Sequence, residues 1–338
     1  MIDTTLSDPP ARRRHTIREA TIAGLREEME ADESVILIGQ DIGVFNGPLA
    51  CTEGLYDQFG PKRVIQTAVS ESAMISLALG AAAKGLRPIV DIMFSDMLPL
   101  IASPLIQTAA PFRYLMSGRG SLPVVIRTRG GDGPYRAHPQ NFEALFAHSP
   151  GMTVVQPSRA TDAYDLIRAS VASNDPVIYL ENIYLYNAFK DDLQDERQPA
   201  RIGSATVVSQ GRDVTAVGYG RSVRTLMNAV AECEAKGISL EVVDLRTVHP
   251  WDSATIEASV AKTGRLIVAH EAWARGGMGD QIVSHISRTM FGQLRASPAV
   301  LGAPDIPIPW APRVRDAMSI SSAAVVDVAV EIMRRSER

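Results

Sequence analysis

The stretch Val64–Gly85, VIQTAVSESAMISLALGAAAKG, sets the fold class of this chain. Its β-branched residues Val64, Ile65 and Val69 read as a buried strand. Ser70 is a residue type that caps helix N-termini, and Gly85 suits the residue that ends a helix. A helix of alanine, leucine and small residues lies between them. This strand-to-helix turn places Glu71 in a helix's first turn, at the C-terminal edge of a sheet, where open α/β folds bind ligands. Two readings of Glu71 stay open here. An acid there complements the helix dipole by about 0.3–1 kcal/mol. Alternatively it is a desolvated acid with a raised pKa, able to hold a proton for a ligand nitrogen. Behind it, Ala73, Ser76, Ala78, Gly80, Ala81, Ala82 and Ala83 are small enough for another backbone to pack close.

Outward from this unit the same alternation repeats. Strands are expected at Val35–Ile38, Val64–Val69, Pro88–Met93, Val124–Arg127, Thr153–Val155 and Val177–Leu180. Helices are expected at Ile17–Glu30, Ser72–Lys84, Asn141–Ala147 and Ala160–Ala172. Such alternation predicts a mostly parallel sheet with helices on both faces, its strands buried on both sides. Between Asn187 and Arg201 the chain turns charged and loses periodicity, as a linker does. The pattern restarts with strands Val214–Val217, Leu240–Val243 and Leu266–Ala269. Helices Val223–Lys236, Asp252–Lys262, Gly279–Met290 and Ala323–Arg334 accompany them. The fold class is therefore α/β with two doubly wound domains: an arm over 1–14, a domain over 15–190, a linker over 191–202 and a smaller domain over 203–338.

A length of 338 residues suits two domains, and 46% hydrophobic with 21% charged residues suits a well-cored globular protein. A net charge of −4 gives no general case for nucleic acid or an anionic membrane, and Arg12–Arg14 is too short a run to change that. Cys51 and Cys233 offer neither a disulfide framework nor metal-site spacing, so no metal ligand is expected. The N-terminal residues lack the apolar core of a signal peptide, and Pro99, Ser103, Pro104 and Gln107 break the most apolar stretch, Met97–Phe112. A cytoplasmic protein is expected.

Two glycine clusters read as turns or loops. Gly218-Tyr219-Gly220 lacks the third glycine of a dinucleotide fingerprint, because Val223 stands there. Gly276–Gly279 reads either as an ordinary βα loop or as a close approach to an anion. GGDGPYRAHPQ, 130–140, follows a strand on the same sheet edge as Glu71 and carries Asp132, Arg136 and His138. A loop histidine is either simply exposed or poised near neutral pH to move protons. His148, His249 and His270 are weaker candidates, His270 beside Glu271 being the best of them.

Many ordered segments then converge. GQDIG at 39–43, TEGLYDQFGPKRV at 52–64, Ser70-Glu71-Ser72 and GAAAKGLRPIVDIMF at 80–94 are joined by AAPFRYLMSG at 109–118. FEALFAHSPGMTVVQPS at 142–158, DPVIYLEN at 175–182, VVDLRTVHPWD at 242–252 and HEAWARGGMG at 270–279 continue the series. Together they resemble the β subunit of the thiamin-diphosphate-dependent E1 component of 2-oxoacid dehydrogenase complexes, of the pyruvate, branched-chain and acetoin type. The resemblance implies a pyrimidine-binding domain followed by a transketolase C-terminal-type domain. It also implies an α2β2 assembly in which an α-type subunit holds the diphosphate and Mg²⁺. Gly131-Asp132-Gly133 looks like the start of a diphosphate motif. The asparagines that motif needs are absent some thirty residues on, where Ser158, Arg159 and Ala160 stand.

Carried over by position, Glu71 matches the acid that hydrogen-bonds the cofactor's pyrimidine nitrogen. His138 matches the active-site histidine that assists intermediates and transfer to the lipoyl group. Met93, Met97 and Val69 fall where side chains line the aminopyrimidine pocket. Three departures stand out: Pro139 in the histidine motif, Ser103-Pro104 where an Asp-Gln pair is usual, and GGDGPYRAHP at 130–139, which is similar to the transketolase loop with its Gly-Asp-Gly-Pro and following histidine; Met97 also stands where an aromatic is usual. A potassium ion near Ser170–Asp175 is a further family possibility. The implied function is decarboxylation of a 2-oxo acid with acyl transfer to a lipoyl-bearing E2. Alternatives are a split transketolase-like or carboligase subunit, and a non-catalytic structural subunit.

Overall fold

The computed structural model describes residues 14–131, 138–193, 199–309 and 311–336. Besides a two-residue antiparallel pair, Arg14–His15 on Asp191–Asp192, the strands are β1 (Val35–Gln40), β2 (Val64–Thr67), β3 (Arg87–Ile92), β4 (Val125–Gly130), β5 (Thr153–Val155), β6 (Val177–Asn182), β7 (Thr206–Ser209), β8 (Val214–Gly218), β9 (Leu240–Asp244), β10 (Thr247–His249), β11 (Leu266–Trp273) and β12 (Ala299–Ala303). The longer helices are α1 (Ile17–Ala31), α2 (Glu71–Ala83), α3 (Ala160–Ala172), α4 (Arg221–Glu234), α5 (Ser253–Thr263), α6 (Met278–Thr289) and α7 (Ser322–Arg335). Among the described residues, no helix is long and apolar enough to cross a membrane.

Seven strands form the first sheet in the order β10-β5-β6-β4-β3-β1-β2, and five form the second in the order β12-β11-β8-β9-β7. All neighbours are parallel except β10 on β5 and β7 on β9. Side chains of a strand alternate between faces, and here both faces are apolar. Leu37, Ile89, Val125 and Val177 pack with Leu25 and Met29 of α1 and Leu166 of α3. Ile38, Val90, Ile126 and Ile178 pack on the other face with Met74, Ile75 and Leu79 of α2. That second core runs on into Val217, Val243, Val268 and Ile282, so one apolar layer joins the two sheets. Each fully buried Ile, Leu or Val there contributes roughly 1.5–3 kcal/mol.

Several sequence expectations change in detail. β2 stops at Thr67, leaving Val69 outside the ladder and exposed. Ser70 occupies the N-cap position of α2, but its side chain accepts no capping hydrogen bond; its carbonyl starts the helix by accepting from Met74 N at 2.9 Å. Gly85 follows the helix with φ +96°, the conformation that glycine supplies. The helix expected over Asn141–Ala147 begins only at Glu143. Met97–Phe112, read only as a broken apolar run, lies in short helical turns spanning Ser95–Leu115. Pro99 and Pro104 interrupt their hydrogen-bond ladder, and Ala110 N reaches back five residues to Leu105 O. β7, β10 and β12 were not expected. Of the predicted N-terminal arm only Arg14 is described, and residues 194–198 of the predicted linker fall outside the described residues.

Gly151 allows the tightest of these packings. It has φ +93°, and a Cβ there would lie 2.1 Å from the carbonyl oxygen of Ala110. Gly151→Ala therefore combines left-handed strain with backbone overlap, about 2–4 kcal/mol together. Urea unfolding should show this loss, and an unchanged midpoint would contradict the packing described.

Candidate active site

The C-terminal ends of β2, β3 and β4 meet along one edge of the first sheet. β2 leads through exposed Val69 into Glu71, the half-buried first residue of α2. β3 leads into Met93, Phe94, Ser95, Asp96 and Met97; Phe94 and Ser95 are buried, the other three half-buried. β4 leads toward the loop that ends in His138, Pro139 and Gln140. Asp132 and Arg136 of that loop lie outside the described residues.

The segment after β3 holds both sides together. Ser72 Oγ of α2 donates to Leu100 O at 2.8 Å, tying the helix start to it. From the other side, Gln140 N and Nε2 donate to the Asp96 carboxylate at 3.2 and 2.9 Å, and Ser95 Oγ donates to Gln140 O. The His138 ring stacks on Phe94 with centroids 4.6 Å apart and planes at 20°. Its Nδ1 faces Asp96 Oδ1 at 4.0 Å. Burial pushes the Asp96 carboxyl above the usual carboxylate range, against the lowering effect of the Gln140 hydrogen bonds. Glu71 and His138 thus flank one well-fixed segment. The Glu71 carboxylate makes no hydrogen bond or ion pair among the described residues.

Beneath this edge lies a buried ionic layer. Asp91 on β3, Arg127 and Arg129 on β4, and Glu181 on β6 are all at most 2% exposed. Arg127 donates to both Glu181 oxygens at 2.8 and 3.0 Å, to Cys51 O at 2.6 Å and to Tyr186 Oη at 3.0 Å. Arg129 donates to both Asp91 oxygens and, at 3.1 Å, to Met93 O. The layer therefore fixes the backbone at Met93, where the site begins. The sequence reading missed Asp96, Gln140 and this layer. Its signal was present: Arg127 and Arg129 alternate within an otherwise apolar strand, with acids in the strands on either side.

Other candidates separate from this edge. His148 is exposed and His249 sits at the end of β10. His270 is fully buried, its ring parallel to Tyr219 with centroids 6.0 Å apart. Gly277 and Gly279 close over it, so near that a Cβ on either would lie within 2.8 Å of the ring. Burial holds its pKa down to about 4, while the unfolded chain takes up that proton near 6.5. The neutral ring therefore contributes stability that is complete above pH 6.5 and lost as pH falls to about 4, of the order of 3 kcal/mol. His270→Phe should flatten the fall in unfolding free energy across that window; an unchanged slope would contradict it.

The segment Ser170–Asp175 already holds a cation of its own. Arg87 donates to Val171 O at 2.9 Å and to Ser173 O at 2.7 Å. Among the described residues no group of three His, Cys, Asp or Glu side chains could hold a metal ion.

Residues 14–187 match the transketolase pyrimidine-binding domain, and residues 203–325 match the transketolase C-terminal domain. The chain is 37% identical over 319 residues to the pyruvate dehydrogenase E1 component subunit beta of Staphylococcus epidermidis, covering 92% of this chain and 98% of that one. The corresponding Staphylococcus aureus subunit is 37% identical over 297 residues, covering 87% and 91%. Among solved structures, a split-gene transketolase described as an inactive β4 tetramer superposes with a TM-score of 0.77 at 21% identity, over 95% of this chain and 99% of that one. A Pichia stipitis transketolase mutant, R525L, gives a TM-score of 0.67 at 16% identity, over 97% of this chain and 47% of the other. These two likenesses concern the fold alone. The chain belongs to the family of E1 β subunits of 2-oxoacid dehydrogenase complexes, a transketolase-type pyrimidine-binding domain followed by a transketolase C-terminal domain.

Proposed function

We propose that this chain is the β subunit of a heteromeric thiamin-diphosphate enzyme that decarboxylates a 2-oxo acid and passes the acyl group to a lipoyl-bearing E2. The observation that carries the reading is Glu71, a carboxylate at a helix start on the ligand-binding edge of a sheet, in a chain of this family. The division into domains over 15–190 and 203–338 belongs to the same proposal, as does a cytoplasmic location.

The residues fit the pyrimidine half of thiamin diphosphate. A flat aminopyrimidine needs an acid opposite its ring nitrogen and apolar walls. Glu71 offers a carboxylate with no partner among the described residues; Val69, Met93 and Met97 offer the walls. When bound, the cofactor supplies the nucleophilic carbon and electron sink for cleavage beside a carbonyl. Glu71 holds a proton at its carboxyl oxygen toward the ring nitrogen. His138, with Nδ1 turned to Asp96, presents Nε2 to substrate and moves a proton there. Phe94 orients the ring by stacking, and Asp96 and Gln140 position it from behind. Mg²⁺ and the diphosphate are assigned to the α-type subunit. Because Arg87 already takes the Val171 and Ser173 carbonyls, the proposal gives that segment no potassium.

The exposed face around the site suits a partner. Phe45, Val69, Leu77 and Leu100 are each more than half exposed. On α2 the outward face also carries Ala73, Ser76 and Gly80, and a Cβ at Gly80 would meet nothing within 4 Å. Leu77→Glu should leave this chain folded yet weaken association with the α-type subunit at least tenfold. Analytical ultracentrifugation of the mixed subunits checks it, and undiminished heterotetramer would contradict the interface.

The acyl acceptor separates this reading from a transketolase-like one. With the two subunits mixed, a 2-oxo acid and lipoyl domain should give acyl-lipoyl product, while aldose acceptors are left unextended. Extension of an aldose with no lipoyl acylation would overturn the proposed reaction in favour of a split transketolase-like or carboligase subunit.

A further inference from the structure

We infer that Glu143 and Tyr219 are positioning residues, a hydrogen-bonded pair through which the second domain holds the segment that carries His138. The inference rests on the proton-moving role proposed for His138 and says what fixes that ring in place.

Glu143 opens the helical turn Glu143–Ala147, shortly after His138 in the chain. It is 1% exposed, and its carboxyl is held across the domain boundary: Tyr219 Oη donates to Glu143 Oε1 at 2.8 Å. The other oxygen, Oε2, is buried without a hydrogen-bond partner. Burying a carboxyl in this way costs stability, and burial pushes it above the usual carboxylate range. A leucine would fill the same place without that cost, so packing alone does not account for an acid here. A hydrogen bond adds direction, because its length and angle are confined where apolar contacts can slide.

The donor is itself fixed. Tyr219 follows β8 and is buried, its ring parallel to the His270 ring of β11, which Gly277 and Gly279 crowd. Gly220 has φ +54°, and a Cβ there would lie 2.7 Å from Gln156 Nε2, so the chain beyond Tyr219 is seated against the first domain. A second contact runs beside the pair: Phe142 packs on Trp273 of β11, with ring centroids 6.0 Å apart and planes at 59°. From the first domain, Asp96 holds Gln140. The chain from His138 to Glu143 is thus tied to both domains, and the stacking of His138 on Phe94 depends on both.

Histidine Cε1–H resonances of the full chain, with His138 assigned by its loss in His138→Asn, report where that ring sits. Stacking on Phe94 shifts the resonance, and Phe94→Leu gives the unstacked position. Tyr219→Phe keeps the ring on His270 and deletes only the hydroxyl. It and Glu143→Leu should each move the His138 resonance toward the unstacked position. With the α-type partner and a 2-oxo acid, each should lower kcat about tenfold, as small misplacements of a reacting group do. Glu143→Gln keeps an acceptor for Tyr219 and should restore most of both the resonance position and the turnover. A His138 resonance unmoved in Tyr219→Phe and Glu143→Leu would overturn the inference, as would Glu143→Gln behaving no better than Glu143→Leu. Full turnover in His138→Asn would instead sink the role proposed for His138, and the resonance then decides the tie by itself.

Discussion

Glu71→Gln in the assembled two-subunit enzyme should lower kcat by about 10²–10⁴-fold, the range that a positioned acid or base contributes. Glutamine keeps the length and hydrogen-bonding shape of the side chain but cannot supply the proton. The loss should fall on turnover rather than on folding. Glu71 is half-buried at the first position of α2, and its carboxylate takes no part in hydrogen bonds among the described residues. Removing one charge from a helix N-terminus costs only about 0.3–1 kcal/mol. The thermal midpoint of the variant should therefore stay close to the parent's. Steady-state rates with an artificial electron acceptor, read beside a melting curve, separate the two effects. Full activity in the variant would return Glu71 to the role of a dipole-matching surface acid.

The largest stability effect is expected from the ionic layer under the site. Arg129→Leu leaves Asp91, itself 2% exposed, buried beside Arg127 with its main partner gone. Breaking a buried pair from one side costs about 3–5 kcal/mol, far more than any surface ion pair would. The same change removes the hydrogen bond to Met93 O, which fixes the chain where β3 enters the site. Unfolding free energy and turnover should both drop. The double variant Asp91→Leu/Arg129→Leu should recover part of the stability, because the uncompensated charge is gone, while activity stays low. Urea denaturation of the two single variants and the double closes the cycle. A double variant no more stable than Arg129→Leu would show that charge imbalance is not the cause.

Much of this architecture was readable because its driving force is local. Parallel strands buried on both faces must be continuous apolar runs, and Val35–Ile38 or Val177–Leu180 could be little else. Gly85 announced the end of α2 through its backbone freedom. What escaped reading depends on contacts distant in sequence. β10 follows β9 after only Leu245 and Arg246, and the chain turns at Arg246, which adopts φ +57° with no residue type to signal it. The turn sends Thr247–His249 across to the first sheet, antiparallel to β5. At the candidate site, Glu71 and His138 were proposed from loop position and family resemblance. Asp96 and Gln140 were not, because their pairing joins two loops 44 residues apart. The alternation of Arg127 and Arg129 in an apolar strand was visible and points to buried partners, since an isolated buried charge costs too much to persist.

The central claim is that this chain supplies half of a shared active site. The most direct test is 2-oxo acid-dependent reduction of an artificial electron acceptor, with thiamin diphosphate and Mg²⁺ present throughout. It is measured for this chain alone, for its α-type partner alone, and for the two mixed. Turnover is expected only in the mixture, saturating at one β chain per α chain. Equal turnover by the α-type subunit alone, or by this chain alone, would contradict the claim.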